Sequence, residues 1–317
     1  MLYVTVIATL FFLTLKGYCG KRLSCFVRKT EDTCIFNTLR MVFCMLIGIA
    51  LMLIEGSVSS LAIEPRMLGV CIFSGFSNAA FLIFWMLAIR RNSMVSVDVG
   101  LMLGALIPSV LCALLFAEEF SVPKMVGFAV MLSATVILSG TDDKRTKKSP
   151  LGILFLILAA LGEGFANFSQ QLYNHCYTES ASAATTYYPK SVFHFYTYVF
   201  AAVFLILVVL VLRIYNKTKK YSEESETALE NNSIFPPPRA VVHIFIMAVS
   251  LFVANYLQTY VTGDLGLSSQ LLYPILKGGC LITVNIVAAL FFDEKITRRT
   301  AIGSLVALAG IIVMSVL

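Results

Sequence analysis

Hydrophobic residues fill long, almost uninterrupted windows of this chain, and short polar connectors separate the windows. A surface helix of a soluble domain shows apolar residues with a period of about 3.6. Here whole windows of about 18 to 25 residues are apolar, enough for helices that cross about 30 Å of hydrocarbon. Such helices satisfy their own backbone hydrogen bonds inside a bilayer. The pattern predicts an all-α integral membrane protein.

Ten windows have this character, which predicts ten transmembrane helices. The longest connector, 214–239, is charged and polar and contains three consecutive prolines, so we expect a solvated linker and no folded domain. The predicted spans are roughly 2–20, 35–55, 67–89, 94–116, 122–140, 151–174, 189–213, 240–262, 267–291 and 300–317.

Composition and charge agree with a membrane location. Of the 317 residues, 58% are hydrophobic and 13% are charged, whereas a soluble domain carries about a quarter charged residues. The net charge of +6 does not indicate a nucleic acid partner, because Lys and Arg cluster in the connectors. With the residues at the span ends included, the odd-numbered connectors hold 18 Lys and Arg and the even-numbered ones hold 3. The positive-inside rule then predicts a cell-membrane protein with cytoplasmic odd connectors and both termini outside.

Two parts of the chain resemble each other. An apolar helix, an acidic pair, a short polar turn and a Gly-containing apolar helix follow one another at 116–140 and again at 291–317. Glu119 and Glu294 occupy matching places in these segments. A second match aligns the starts of the second and seventh spans. An internal repeat of five helices follows from the two alignments.

The two repeats, 1–141 and 150–317, each contain an odd number of spans, so they must insert in opposite directions. Matched connectors carry reversed charge, as inversion predicts. The predicted fold is therefore ten transmembrane helices arranged as two inverted five-helix repeats. Inverted repeats with a binding site at their interface near the bilayer midplane are a transporter architecture.

Two acidic turns are each followed by a Gly-bearing helix, and two further stretches, FNTLRMVF and YPILKGG, accompany them. This ordered set resembles the EamA-like branch of the drug/metabolite transporter superfamily. The resemblance implies a central cavity lined by spans one to four and six to nine, with spans five and ten as a peripheral scaffold. Many members are assigned the opposite sidedness, against which the connector charges argue. The resembling residues are Glu118, Glu119, Asp293, Glu294, Gly127, Gly303, 36–43 and 273–279.

Lys277 is the only charged residue between Asp264 and Asp293, and it lies near the middle of the ninth span. A charge at the bilayer centre costs about 2.5 to 3.5 kcal/mol on the insertion scale, so it normally faces a partner or a wet cavity. Pro274 and Gly278 would let the helix unwind or approach another backbone closely. Three roles fit Lys277: neutralising a structural carboxylate, binding a substrate anion, and coupling to protons or other ions.

Glu163 lies in the middle of the sixth span. Asn167, Gln170 and Gln171 share its helical face, which predicts a polar stripe toward the bundle interior. Carboxylates inside membranes often serve as protonation sites. The alternative is a salt bridge between Glu163 and Lys277 that has no transport role.

Four further positions are interpreted through the repeat or through helix starts. Lys16 aligns with Glu163, which favours a place deep in the bundle, whereas hydropathy alone leaves it near the cytoplasmic surface. Asp98 is either a cavity carboxylate or a residue of the outer rim. Arg40 and Lys190 lie near equivalent helix starts, so we expect snorkelling anchors or gate residues in preference to ligands.

Uncharged polar and aromatic side chains complete the predicted pocket. Two of them lie deep in the eighth span, and two on the third span are their counterparts. The predicted substrate-binding residues are Lys16, Asn78, Trp85, Asp98, Glu163, Asn167, Asn255, Tyr256, Tyr273 and Lys277.

These features favour a transporter over other classes. The chain has no HExxH, GxGD or GxSG motif of a membrane enzyme. A receptor or scaffold would leave the central charges unexplained, and a channel would not need inverted repeats. We expect a secondary transporter for a small polar organic solute, monomeric or homodimeric and without a cofactor. Cations outnumber carboxylates in the spans, which favours an anionic or zwitterionic solute; the alternative is proton-coupled export of organic cations through Glu163.

Overall fold

The computed structural model describes residues 1–27, 29–117, 121–139, 150–178, 186–222, 236–292 and 297–316. These residues form α-helices joined by short connectors, and no β-strand occurs among them. The helices are α1 (Leu2–Ser24), α2 (Thr30–Glu55), α3 (Pro65–Arg91), α4 (Met94–Met102), α5 (Leu106–Phe116), α6 (Val122–Ser139), α7 (Pro150–Tyr177), α8 (Lys190–Ser222), α9 (Pro238–Gly263), α10 (Ser269–Phe291) and α11 (Arg298–Val316).

Each predicted window contains helix, and α4 and α5 together fill the fourth. The acidic turns at Glu118–Glu119 and Asp293–Glu294 lie outside the described residues, as do residues 223–235 of the predicted linker. α8 is longer than predicted, because it continues to Ser222 and so enters the segment expected to be a linker. Lys is a good helix former, so the Lys-rich start of that segment extends the helix.

Eight helical segments of the described chain are long and apolar enough to cross a membrane. α4 and α5 count as one of these, Met94–Phe116, and the others are α1, α2, α3, α7, α9, α10 and the part of α8 up to Tyr215. α6 and α11 hold shorter apolar stretches, Met125–Ala134 and Ala301–Gly310. Large apolar side chains such as Ile54, 82% exposed, and Leu114, 74% exposed, lie on the outside of the bundle. The protein is thus an all-α, multi-pass membrane protein.

Proline has different effects in two of the helices. The fourth segment is broken by a 3₁₀ turn, Leu103–Ala105. Pro108 follows this turn and cannot donate a hydrogen bond to the carbonyl of Gly104, so the backbone tightens there. α10 instead remains continuous past Pro274, and the unwinding considered above does not occur.

The helices pack in recurring pairs. α3 lies against α7 and α8, α1 lies against α9, and α2 lies against α8 and α9. α6 and α11 pack mainly on each other and also contact α4 and α10. The largest cluster of buried apolar side chains extends over α1, α2, α3, α4, α7, α8 and α9. Phe81 and Leu251 of this cluster also line the candidate site described below.

Glycines allow the closest helix contacts, as small residues do in membrane bundles. A Cβ atom at Gly162 of α7 would lie 2.7 Å from the backbone nitrogen of Phe81 in α3. A Cβ atom at Gly164 would lie 2.7 Å from the carbonyl oxygen of Gly104 in the 3₁₀ turn. Glu163 stands between these two glycines, so its backbone is held on both sides by other backbones.

Gly162→Ala is expected to destabilise the bundle, because the new methyl group must push the α3 backbone away. Overpacking of this kind costs about 1 to 3 kcal/mol. Gly69→Ala on α3 is the matched control, since no atom lies within 4 Å of a Cβ built there. The thermal unfolding midpoint in detergent should fall for Gly162→Ala and stay the same or rise for Gly69→Ala. Equal midpoints for the two variants would contradict the close approach of α3 and α7.

Candidate functional site

An ion pair joins α7 and α10 inside the bundle. The ammonium Nζ of Lys277 donates a hydrogen bond to Oε2 of Glu163. The two side chains are only 13% and 10% exposed, so the amine points into the protein and not toward lipid. A buried charge is costly unless it is paired, and this pair neutralises both groups. The structure therefore forms the salt bridge that the sequence offered as one alternative.

A small cavity adjoins the ion pair. Its volume is about 20 Å³, room for a water molecule but not for an organic solute. Its walls come from α1, α3, α7, α9 and α10, whereas the resemblance implied contributions from spans one to four and six to nine. The lining residues are Leu13, Lys16, Asn78, Phe81, Glu163, Ala166, Asn167, Gln170, Leu251, Asn255, Gln258, Tyr273, Leu276 and Lys277.

The predicted polar stripe of α7 faces the interior. Taken as whole residues, Glu163 and Asn167 are each 7% exposed, and Gln170 and Gln171 are each 2% exposed. The Nε2 of Gln171 donates to the hydroxyl of Tyr273, a lining residue of the cavity, at 2.7 Å. That hydroxyl donates in turn to the carbonyl oxygen of Asn167 at 3.1 Å. The stripe therefore links α7 to α10 at two levels, the ion pair and this hydroxyl.

Two predicted amides line the cavity and are fixed by hydrogen bonds of their own. Asn78 donates from Nδ2 to the carbonyl oxygen of Ser74 at 2.9 Å. Asn255 donates from Nδ2 to the hydroxyl of Tyr198 at 3.1 Å. The amide oxygens of both residues can still accept hydrogen bonds from a solute.

Lys16 also lines the cavity and is only 7% exposed. The structure thus has it inside the bundle, as the alignment of the repeats favoured. Its Nζ lies 5.0 Å from the ring centroid of Phe81 and 5.7 Å from that of Trp85. Among the described residues no carboxylate forms an ion pair with Lys16, and its ammonium lies against these aromatic rings instead.

Three predicted residues lie outside the cavity. Trp85 is buried against α1, where a Cβ atom at Gly20 would be 2.2 Å from the indole. Asp98 is half-buried on α4, close enough to Cys280 to interact electrostatically. Tyr256 donates its hydroxyl to Oε1 of Glu55 at 2.9 Å. A direct contact with a solute by any of these three remains a prediction.

Arg40 does not have the place expected for it. The sequence suggested a snorkelling anchor or gate residue near a helix start, and snorkelling is wrong, because the side chain is 1% exposed. α2 begins at Thr30, five residues before the predicted boundary, so Arg40 lies about three turns into the helix. Its guanidinium lies over the ring of Trp85, 5.8 Å from the centroid. Sequence reasoning missed this burial because the second span was predicted to start at residue 35, whereas α2 starts at Thr30.

Polar contacts connect the helices at the end of the bundle where α2 and α9 terminate and α8 and α10 begin, here called the Glu55 end. Besides Tyr256, Ser191 donates to Oε2 of Glu55 at 2.5 Å. Lys190 forms an ion pair with Asp264, Nζ to Oδ2 2.7 Å, and its role as anchor or gate remains a prediction. Sequence reasoning missed Glu55, because a carboxylate at the end of a span gives no signal that separates it from an ordinary boundary residue.

The opposite end, where α1 terminates and α2 begins, is here called the Lys21 end. Lys21 donates to the carbonyl oxygen of Asn92 at 3.1 Å. Arg213 of α8 forms an ion pair with Glu31 at the start of α2. Between these contacts and the cavity, Trp85 packs against Gly20 and the methyl group of Met94 against Gly17. The cavity thus lies between two ends that each have polar contacts between helices.

Comparison with solved structures supports the fold. No family model matches the chain, and no curated protein matches it. A solved structure described as "Crystal structure of protein" has a TM-score of 0.64 and 15% sequence identity to this chain. The similarity covers 96% of this chain and 96% of that one. At this level of identity the likeness is one of fold alone.

Breaking the central ion pair on one side is expected to be more costly than removing it. Glu163→Gln and Lys277→Met should each destabilise the protein by about 3 to 5 kcal/mol, because each leaves a buried charge unpaired. The double variant should recover most of that loss. Thermal unfolding in one detergent measures all three.

Glu31→Gln is the control for this cycle. It breaks the ion pair with Arg213, in which the Arg213 side chain is 42% exposed and the Glu31 side chain 23% exposed, and loss of an exposed pair costs at most about 1 kcal/mol. Additive losses in the double Glu163/Lys277 variant would contradict the coupling of the two residues.

Proposed function

We propose that this protein is a secondary transporter that moves a small polar organic solute across the cell membrane by alternating access. The buried Glu163–Lys277 pair beside a polar cavity is the observation that carries the proposal. Ionisable groups in the middle of membrane helices are expensive, and they usually mark substrate or ion pathways. A membrane enzyme or a scaffold would not need this arrangement.

The pattern of helix packing supports two inverted repeats of five spans. If the first five spans are exchanged for the last five, the α3–α7 pair becomes the α9–α1 pair, and both pairs are in contact. The α2–α8 and α6–α11 pairs each map onto themselves. We take α6 and α11 as the fifth and tenth spans. On this arrangement we propose that the protein is an EamA-like member of the drug/metabolite transporter superfamily. The cavity then lies between the repeats.

The charges around the cavity favour an anionic or zwitterionic solute. Lys16 and Lys277 line it, and Glu163 is the only carboxylate among its lining residues. Glu163 is already paired with Lys277, so the local field attracts negative charge. A carboxylate or phosphate group of the solute would balance this positive charge. Glu163 would supply the negative charge that balances Lys277, or would act as a site of proton coupling.

The size of the cavity supports a mechanism with moving halves. About 20 Å³ does not hold an organic solute, so the helices must separate for binding. Two sets of contacts, at the Glu55 end and the Lys21 end, flank the cavity. Opening them in alternation would expose the same site to either side of the membrane.

Export of an organic cation is the second candidate, because the cavity does contain the carboxylate of Glu163. In that mechanism Lys277 is the internal partner of Glu163, and a cation displaces it. The two candidates differ in the dependence of transport on Lys277.

Transport by protein reconstituted in liposomes tests the proposal. With a panel of labelled carboxylates, phosphate esters, amino acids and organic cations, we expect saturable uptake of an anionic or zwitterionic solute. Lys277→Ala should lower this uptake about tenfold or more, because the carboxylate of Glu163, left without its partner, would repel an anion from the cavity.

Arg213→Ala is the control for transport, because Arg213 pairs with Glu31 far from the cavity and its side chain is 42% exposed. Retained transport of organic cations by Lys277→Ala supports the second candidate. Uptake of no solute class by well-folded wild-type protein contradicts both.

Cysteine labelling tests the proposed orientation. Cys25 is exposed just after α1, in a connector proposed to be cytoplasmic, so a membrane-impermeant maleimide should label it only after cells are permeabilised. Ser59→Cys in a Cys25→Ser background introduces a thiol at an exposed site of the next connector. That thiol should react in intact cells. The reverse pattern would mean that the protein is inserted the other way round.

A further inference from the structure

Arg40 is a buried cation whose donors have no acceptor. The side chain is 1% exposed. Nε, Nη1 and Nη2 are all buried, and none has a hydrogen-bond partner among the described residues. A guanidinium presents five N–H donors in a planar fork that matches carboxylate and phosphate oxygens. Leaving all of them unpaired is costly, so the site is suited to an acceptor-rich group.

A second cation lies on the same indole. The Nζ of Lys16 is 5.7 Å and the Cζ of Arg40 is 5.8 Å from the ring centroid of Trp85. These three residues are called the Trp85 cluster below. Lys16 and Arg40 are close enough to interact electrostatically, and two like charges in a dry interior repel each other. A negative group near both would remove the repulsion.

The carboxylate nearest to the cluster is already in use. Glu163 interacts with Lys16 electrostatically, but its hydrogen-bonded partner is Lys277. Neither Lys16 nor Arg40 has an ion-pair partner among the described residues. The acidic side chains that the structure describes therefore leave the Trp85 cluster with an uncompensated positive charge.

The Trp85 cluster is connected to the cavity by two routes. Lys16 is itself a lining residue. Asn255, another lining residue, donates to the hydroxyl of Tyr198, which is close enough to Arg40 to interact electrostatically. Because the indole lies against both cations, its movement would open a way from Lys16 to Arg40. Arg40 and Trp85 both lie nearer the Lys21 end than Glu163 does.

We infer that Arg40 and Lys16 form the subsite for the anionic group, a carboxylate or phosphate, of the transported solute. The inference rests on the proposed function and deepens it, since it assigns the anion to the Trp85 cluster and not to Lys277. Lys277 remains paired with Glu163. Trp85 separates Arg40 from the cavity until the anion arrives.

Trp85 itself is a fluorophore that allows a direct test. The chain contains one tryptophan, so tryptophan emission reports on Trp85 alone. Purified full-length protein in detergent is titrated with sodium phosphate or sodium acetate, with sodium chloride added to keep the ionic strength constant. We expect a saturable change in emission, because an anion between the two cations alters the charge around the indole. Trp85→Phe should abolish the signal.

Matched variants assign the anion to its ligands. Arg40→Gln and Lys16→Gln should weaken the apparent affinity about tenfold or more. Arg40→Lys should weaken it less than Arg40→Gln, because the charge remains while the fork is lost. Arg91→Gln is the control: Arg91 is exposed on α3 and lies over Phe155, so its loss should change nothing. If Arg40→Gln does not fold, Lys16→Gln alone decides.

The outcomes separate the inference from the proposed function. A response to phosphate alone or to acetate alone supports the subsite and identifies its anion. No saturable response, or the same affinity in Arg40→Gln and Lys16→Gln as in wild type, overturns the inference. Uptake of an organic anion that is insensitive to Arg40→Gln also overturns it and leaves the transporter intact. An Arg40-dependent response without uptake of any solute removes the proposed function alone.

Discussion

The free-energy cost of holding charge away from water is the constraint on which the centre of this bundle depends. Lys16, Arg40 and Lys277 are the cations that sit well inside the membrane-crossing helices, and they are held in two different ways. Lys277 has the carboxylate of Glu163 as its partner. Lys16 and Arg40 lie on the faces of aromatic rings, contacts that contribute about 2 kcal/mol when desolvated. Such contacts offset only part of the cost of burial.

Helix packing fixes the position of the one buried carboxylate in the cavity. Glu163 is flanked by Gly162, pressed against the backbone of α3, and by Gly164, pressed against the 3₁₀ turn before α5. Because both neighbours touch backbone, α7 cannot slide or rotate there without separating from two elements. The two glycines, which have no side chains, therefore determine the direction in which the Glu163 side chain points. Movement in this protein is more easily accommodated between other helices.

Much of the architecture could be predicted from the sequence, because a bilayer imposes a simple length and polarity rule on helices. The helical windows, the inward face of α7 and the burial of Lys16 could be predicted from hydropathy, helical periodicity and the proposed repeat. The burial of Arg40 could not be predicted in this way, because the first residues of α2 are polar and hydropathy therefore places the start of the helix too late. The apolar part of the lining, including Phe81 and Leu276, gives no signal, because a cavity wall and a packed core use the same residues. The closure at Glu55 depends on three helices that only the fold brings together.

Opening the bundle would bring water to surfaces of two kinds. At the Glu55 end, Ser191 and Tyr256 can exchange their hydrogen bonds to Glu55, and Lys190 its bond to Asp264, for bonds to solvent. Separating these groups therefore has a small net cost. At the Lys21 end, lifting Trp85 from Gly20 would wet an aromatic surface that gains little from hydration, and it would also admit water to Arg40 and Lys16, which lie over that ring. Movement of the indole would thus combine an unfavourable hydration of its ring with a favourable hydration of two charges.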